Sequence, residues 1–358
     1  MMRTRGFSLV ELMVAITLAM IVTAGVISVF VGSRSAYLAT SGTAALTDSG
    51  RFALNFLSSS VRSAGYMACT TAPNMQGILN AGATPLPFSF NEALGGFEAG
   101  GTGPTSAYTV APPPVTPDAS AADWTSGLDA AIAGIAVKNN DVLVVRSTLA
   151  NAQSVYVSAI TDGSSQFTVN TQGLFAVGQL AVIADCAKGV VFQISGIAPP
   201  GANAVITHNA GGGPPGNTTA AFPVSFSPGS EVTPVDTRVY YIGKGADGDG
   251  ALFVDDLNAT GTFTANELVP DIEAMQILYG LDTNNTQIVS EYVTADAVAD
   301  FNTVMSVKIA LLAASAPGST HPGAALTYNL LGTLVTAPAD SRERQVFEET
   351  IAVRNSLP

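Results

Sequence analysis

The strongest pattern along the chain is an apolar run. From Phe7 through Gly32, twenty-six residues carry a single charge, Glu11. Wound as a helix at 1.5 Å per residue, the run spans roughly 39 Å, enough for the hydrocarbon of a bilayer. After Ser33 the pattern becomes a one-sided stripe, with Leu46, Ala53 or Leu54, Leu57, Val61 and Ala64 at helical spacing. One helix is therefore predicted from about Ser8 to about Ala64, its first half in lipid and its second half laid on a globular body. Gly25, Gly32, Gly42 and Gly50 lower its intrinsic stability by up to about 1 kcal/mol each relative to Ala, so bending is expected there.

Past the helix, 70–127 is rich in Gly, Pro, Ala and Thr without a sustained period, and reads as a long exposed excursion. Short alternating or apolar runs follow at 141–147, 153–160, 179–185 and 190–197, which predict strands. A second Gly/Pro patch, 209–223, separates them from later runs at 237–243, 251–256, 272–282, 304–315 and 344–355. Within 304–315, Met305, Val307, Ile309 and Leu311 alternate with Val304, Ser306, Lys308 and Ala310. One face is wetter, which predicts an antiparallel sheet with a half-buried layout. A short helix is expected at 294–301, capped by Thr294.

Composition narrows the class. The 358 residues are 47% hydrophobic and only 11% charged, with 35 Gly and 20 Pro. Such a chain is ordered and strand-rich outside its N-terminus. The net charge of −13, without any basic run, leaves no footprint for gripping phosphates, so direct nucleic-acid binding is excluded. Cys69 and Cys186 are the only cysteines, in a body expected beyond a membrane helix, where disulfides persist. A Cys69–Cys186 bridge is expected, with two buried thiols as the alternative.

Catalytic signatures are missing: there is no G-x-S-x-G, H-E-x-x-H or P-loop, and His208 and His321 are isolated from each other. An enzyme reading has no anchor and no cofactor is implied. In "GADGDGALFVDD", Asp247, Asp249, Asp255 and Asp256 offer hard oxygen ligands, and Asp247 and Asp249 have the spacing that opens a calcium loop. Position six from Asp247 is Leu252, however, and no Glu stands at position twelve, so a polar turn with Asp-Gly steps is the preferred reading.

Glu11 is the residue that needs explaining. An ionisable group in a membrane span costs a few kcal/mol unless paired, and so marks function. A secretory signal peptide, with its apolar core of about 7 to 15 residues, is too short for this run, although Thr23-Ala24-Gly25 could pass for a cut site. A plain anchor, oriented by Arg3 and Arg5, accounts for the length but not for Glu11. The stretch "RGFSLVELMVAI", Arg5 to Ile16, resembles the processing motif of the type IV filament superfamily. That resemblance implies cleavage between Gly6 and Phe7 by a prepilin peptidase, methylation of the new Phe7 amine, and a charge pair in which Glu11 of an incoming subunit meets the Phe7 amine of one already placed.

Further patches, "RFALNFLSSSVRSAGYMAC", "DVLVVRS", "ADC" before "VVFQIS", "ELVPDIEAMQILYGLDT" and "VFEETIAVRN", resemble minor pilins of the PilW type. The resemblance implies an α+β, pilin-like fold: a long N-terminal helix packed on a mostly antiparallel β-sheet domain. It divides the chain into a leader (1–6), a transmembrane half-helix (7–33), an amphipathic half-helix (34–68) and a β-rich domain (69–358). It implies partners among minor and major pilins, the prepilin peptidase and the inner-membrane assembly platform. The subunit would sit in the bacterial inner membrane, N-terminus cytoplasmic and domain periplasmic, and then in a pilus as part of a priming or tip complex. Two alternatives remain: an adhesive tip subunit, and a minor pseudopilin of a type II secretion system.

Overall fold

A computed structural model of the chain describes residues 8–80, 86–117, 119–149, 152–173, 175–198, 202–213, 215–257, 263–284 and 286–356. Helix α1 runs Leu9–Ser63, 55 residues, close to the predicted span. Its start follows from Ser8, whose side-chain oxygen accepts the backbone N–H of Glu11, and Glu11 adds a negative charge to the first turn. The end comes at Ala64 and Gly65, the latter at φ 73°.

The body is built almost wholly of strands. β1 (Met75–Gly77), β2 (Leu94–Phe97), β3 (Ala107–Thr109), β4 (Val142–Thr148), β5 (Val155–Ile160), β6 (Gln166–Val169), β7 (Leu180–Ala184), β8 (Gly189–Gln193), β9 (Gly196–Ala198) and β10 (Val205–Thr207) precede the 14-residue β11 (Glu231–Lys244). β11 joins two halves of one large sheet. Its first residues pair with β5 and β7, and its later ones with β4 and β12 (Gly250–Leu257), which in turn pairs with β13 (Phe263–Pro270).

A second sheet orders β15 (Glu291–Val293), β14 (Ile272–Leu281), β16 (Val304–Ala314) and β19 (Arg344–Ala352), all antiparallel. A third consists of β17 (Leu326–Leu330), β18 (Thr333–Ala337) and β3. Parallel pairing occurs at β1–β8 and β3–β18. The fold is α+β and pilin-like: one long helix on a large, mostly antiparallel β domain.

The second half of α1 lies on the second sheet. Leu46, Ala53, Leu57 and Val61 bury against a core that includes Ile277, Val307, Ile309, Leu311 and Ile351. Val307, Ile309 and Leu311 are odd positions of β16, as the alternation predicted, but Val304, expected on the wetter face, joins the same core where the pairing with β14 shifts register between Gly280 and Leu281. The opposite face differs from expectation: Ala310 and Leu312 are not wet but packed with Ala274, Val110, Leu330 and Val335 beneath the third sheet. Only Ser306 and Lys308 keep the polar character, Lys308 lying 3.8 Å from the Tyr292 ring centroid. Small Ala310 lets the third sheet come close, which its period-two pattern alone does not reveal.

The exposed-excursion reading of 70–127 is also corrected. Segments too short to show a period pair strand by strand as β1, β2 and β3, and Val110, Val115 and Trp124 are buried. The Trp124 indole N–H donates to the Asn140 carbonyl at 2.9 Å, which explains why the only tryptophan can sit inside. At 294–301 no helix of that length forms. Two 3-10 turns, Ala295–Ala297 and Phe301–Thr303, stand there, and the side chain that caps is Asp300, accepting from Asn302 N–H, rather than Thr294.

The helix glycines divide by role. Gly25 and Gly32 have no neighbour within 4 Å, whereas a Cβ at Gly50 would enter the Phe347 ring and one at Gly42 would strike Ser319. Helix and sheet touch where the glycines permit it. Gly50→Leu is expected to lower the unfolding free energy by about 1–3 kcal/mol through overpacking, with Gly25→Leu nearly neutral to the β domain; urea titrations of both variants check this.

Candidate functional site

The exposed apolar half of α1 carries its own polar accounting. Leu9, Val10, Ile21, Val29 and Phe30 are each at least two-thirds exposed, and the segment is long and apolar enough to cross a membrane. Hydroxyls within it fold back on the helix: Thr17 donates to Val14 O, Thr23 to Ala19 O and Ser28 to Gly25 O, at 2.7–2.9 Å. This is how such groups are tolerated in hydrocarbon. Glu11 is exposed, and no cation within ion-pair distance of its carboxylate is seen among the described residues. Gly6 and Phe7, the expected cleavage and methylation positions, lie outside the described residues.

The anchored half is fixed to β19 by polar as well as apolar contacts. Ser58 donates to Glu349 at 2.9 Å and Arg62 at 3.2 Å, Thr43 donates to Glu343 at 2.6 Å, and Asn355 donates to the Ala64 carbonyl at 2.8 Å. Arg62 is exposed, so its pairing orients rather than stabilises. Just beyond the helix, Cys69 is bonded to Cys186, with Cα atoms 4.5 Å apart. Cys186 occupies the β7–β8 turn at φ 66°. The bridge thus ties the end of α1 to the large sheet, and the buried-thiol alternative is set aside.

The aspartates are regrouped by the fold. Asp247 and Asp249 do come together, in a turn where Asp249 N–H donates to Asp247 at 3.0 Å, but their third neighbour is Asp271. Asp255 belongs elsewhere: it accepts the Tyr241 hydroxyl at 3.0 Å near the far end of β12. Arg342 already supplies positive charge to the cluster, donating to Asp249 and lying 3.6 Å from Asp271. Its neighbour Arg344 is held by Glu273 and Asp340. Both arginines sit in "SRERQ", which sequence reading passed over; two arginines opening an apolar strand are the signal that could have drawn notice.

His208 is fully buried, its ring stacked on Phe222 at 4.0 Å, and both ring nitrogens lack partners. Burial pulls its pKa down to about 4. His321 lies apart, beside the β17–β18 hairpin. Neither acts with the other, as their isolation in sequence suggested.

A further buried pair escaped sequence reading. Glu98, after β2, shares a hydrogen bond with Asp141, at the start of β4. Asp141 also accepts N–H groups of Ala99 and Ile277 at 3.1 and 2.7 Å, so it holds the charge while Glu98 keeps the proton. Burial first, and the Asp141 charge second, push Glu98 well above the carboxylate range. Burial likewise raises Asp236 to about 7.

A carboxyl whose pKa is raised by folding contributes stability that is complete below its unfolded value and lost as pH rises through its folded value. For Asp236 that loss falls between about pH 4 and 7; for Glu98 it extends further into the alkaline range. His208 works oppositely, costing stability as pH falls from about 6.5 towards 4. The thermal midpoint is therefore expected to drop by several degrees between pH 6 and pH 9, and Glu98→Gln is expected to flatten that decline; an unchanged slope would remove the pair from the account.

The class is thus an α+β protein whose long helix has one exposed half, long and apolar enough to cross a membrane, and one half docked on the β domain. Comparison with known families gives this class its particular form. Residues 239–355 match the family model described as Type IV Pilus-assembly protein W, and residues 1–27 match the prokaryotic N-terminal methylation motif. No curated protein and no solved structure matches significantly. The two matches support a minor-pilin role of the PilW type in type IV pilus assembly, which implies interaction with other pilins and the pilus machinery. The first match contains β14, β16 and β19, the sheet on which α1 is docked.

Proposed function

We propose that the chain is a non-catalytic minor pilin that acts in a priming or tip complex of a type IV pilus. The observation that carries this reading is the division of α1: an exposed apolar half with one carboxylate, Glu11, and a half fastened to the sheet that the PilW family match covers. On this reading a prepilin peptidase cuts between Gly6 and Phe7 at the cytoplasmic face of the inner membrane, and the β domain stays periplasmic until extraction into the fibre. Glu11 then neutralises the Phe7 amine of a subunit already in place, so that two costly charges in hydrocarbon become one pair. The methylation-motif match over 1–27 supports the processing step.

N-terminal sequencing of the mature protein tests the processing: a start at methylated Phe7 is expected, and an intact leader on protein recovered from assembled fibres would overturn it. Deleting the gene separates the roles. Loss of pili supports priming, whereas normal pili with lost attachment would favour the adhesive reading. The pseudopilin reading has less support, since the longer match is to a pilus-assembly family.

A further inference from the structure

Between the β2–β4 pair and the 3-10 turns at 295–303 lies a cavity of about 580 Å³, within the range of small-molecule sites. Arg146 lines it while only 3% exposed. Its guanidinium is held by backbone carbonyls: one terminal nitrogen donates to Glu92 O and Leu94 O at 3.3 Å, the other to Leu86 O at 2.7 Å. Nε has no partner, and among the described residues no carboxylate lies within ion-pair distance. A buried cation without a direct ion pair is costly, and the acid that acts on Arg146 through space is Glu92, on the wall of the same cavity.

The position opposite the guanidinium is a glycine. Gly95 pairs with Val144, and a Cβ at 95 would sit 3.6 and 3.8 Å from the two terminal nitrogens of Arg146. A larger side chain there would stand between the terminal nitrogens and the cavity, whereas glycine adds no atoms there to the little that reaches the guanidinium. Phe97 and Phe301 supply aromatic wall, and three carboxylates, Glu92, Asp129 and Asp296, line the same space. One cation against three acids repels a simple anion. The lining is complementary to a ligand that brings both an ammonium and a carboxylate on an apolar body.

We propose that this cavity binds a free amino acid with an apolar or aromatic side chain, its carboxylate on Arg146, its ammonium towards Glu92 and Asp296, and its side chain against Phe97 and Phe301. This role is separate from the assembly role, because the cavity uses no residue of α1. The test is calorimetric titration of the full chain in detergent with L-phenylalanine, N-acetyl-L-phenylalanine and L-phenylalaninamide. Binding of the first is expected, weakened about tenfold or more when either charge is blocked. Gly95→Leu, which fills the cavity, is expected to abolish binding with the thermal midpoint held. No heat at up to about 10 mM L-phenylalanine, equal binding of the acetylated compound, or unaltered binding by Gly95→Leu would each overturn the proposal.

Discussion

Glu11→Val is expected to enter the membrane at the normal level but to be scarce in sheared filaments. Removing the carboxylate makes the span more apolar, so insertion is, if anything, easier. On the proposed pairing, assembly suffers because the Phe7 amine of the neighbouring subunit would then enter hydrocarbon without a counter-charge. One unpaired charge at that depth costs about 2.5–3.5 kcal/mol on insertion scales, roughly a hundredfold in an equilibrium. The effect is large because the rest of the segment is already satisfied: Thr17, Thr23 and Ser28 bond to their own helix, and among the described residues of the span only Glu11 is charged. Immunoblots of membrane and filament fractions check both halves of the expectation, and wild-type recovery from filaments would end the pairing account.

The second large effect concerns the bridge. The double substitution Cys69→Ala, Cys186→Ala is expected to lower the unfolding free energy by about 4 kcal/mol, because the bond closes a separation of 117 residues and restricts the unfolded chain accordingly. Both cysteines are exposed, so their replacement opens no cavity and the loss is read directly as chain entropy. The bond also fixes the α1 terminus to the β7–β8 turn, so hydrogen exchange should rise first around Met67, Met75 and Val191, which pack together there. A denaturant midpoint that does not move, in the variant or in reduced wild type, would show that packing alone holds the two regions.

Different parts of the molecule were legible to different degrees. α1 was readable because lipid and an apolar stripe each impose a pattern on consecutive residues. β16 was readable on one face: Val307, Ile309 and Leu311 announced their burial, while Ala310 could not announce a covering sheet drawn from residues 107–109 and 326–337. The 70–127 segment was misread because its strands are three or four residues long, shorter than any pattern that periodicity can register. The candidate acids were half legible. Asp247 and Asp249 lie two apart in one turn, but Asp271 joins them only because β12 and β13 return the chain antiparallel, and Asp255 leaves because β12 carries it away.

By itself the sequence determined the helix, its exposed apolar half and the charge at Glu11, since each follows from neighbours in the chain; it named the two cysteines, and the structure joined them. The tertiary structure alone decided that Gly50 admits Phe347, that Glu98 shares a proton with Asp141, that Arg342 answers the aspartates and that Arg146 is left facing a cavity. Those contacts join residues from 43 to 297 positions apart, where no local period reaches and only the pairing of strands brings partners together.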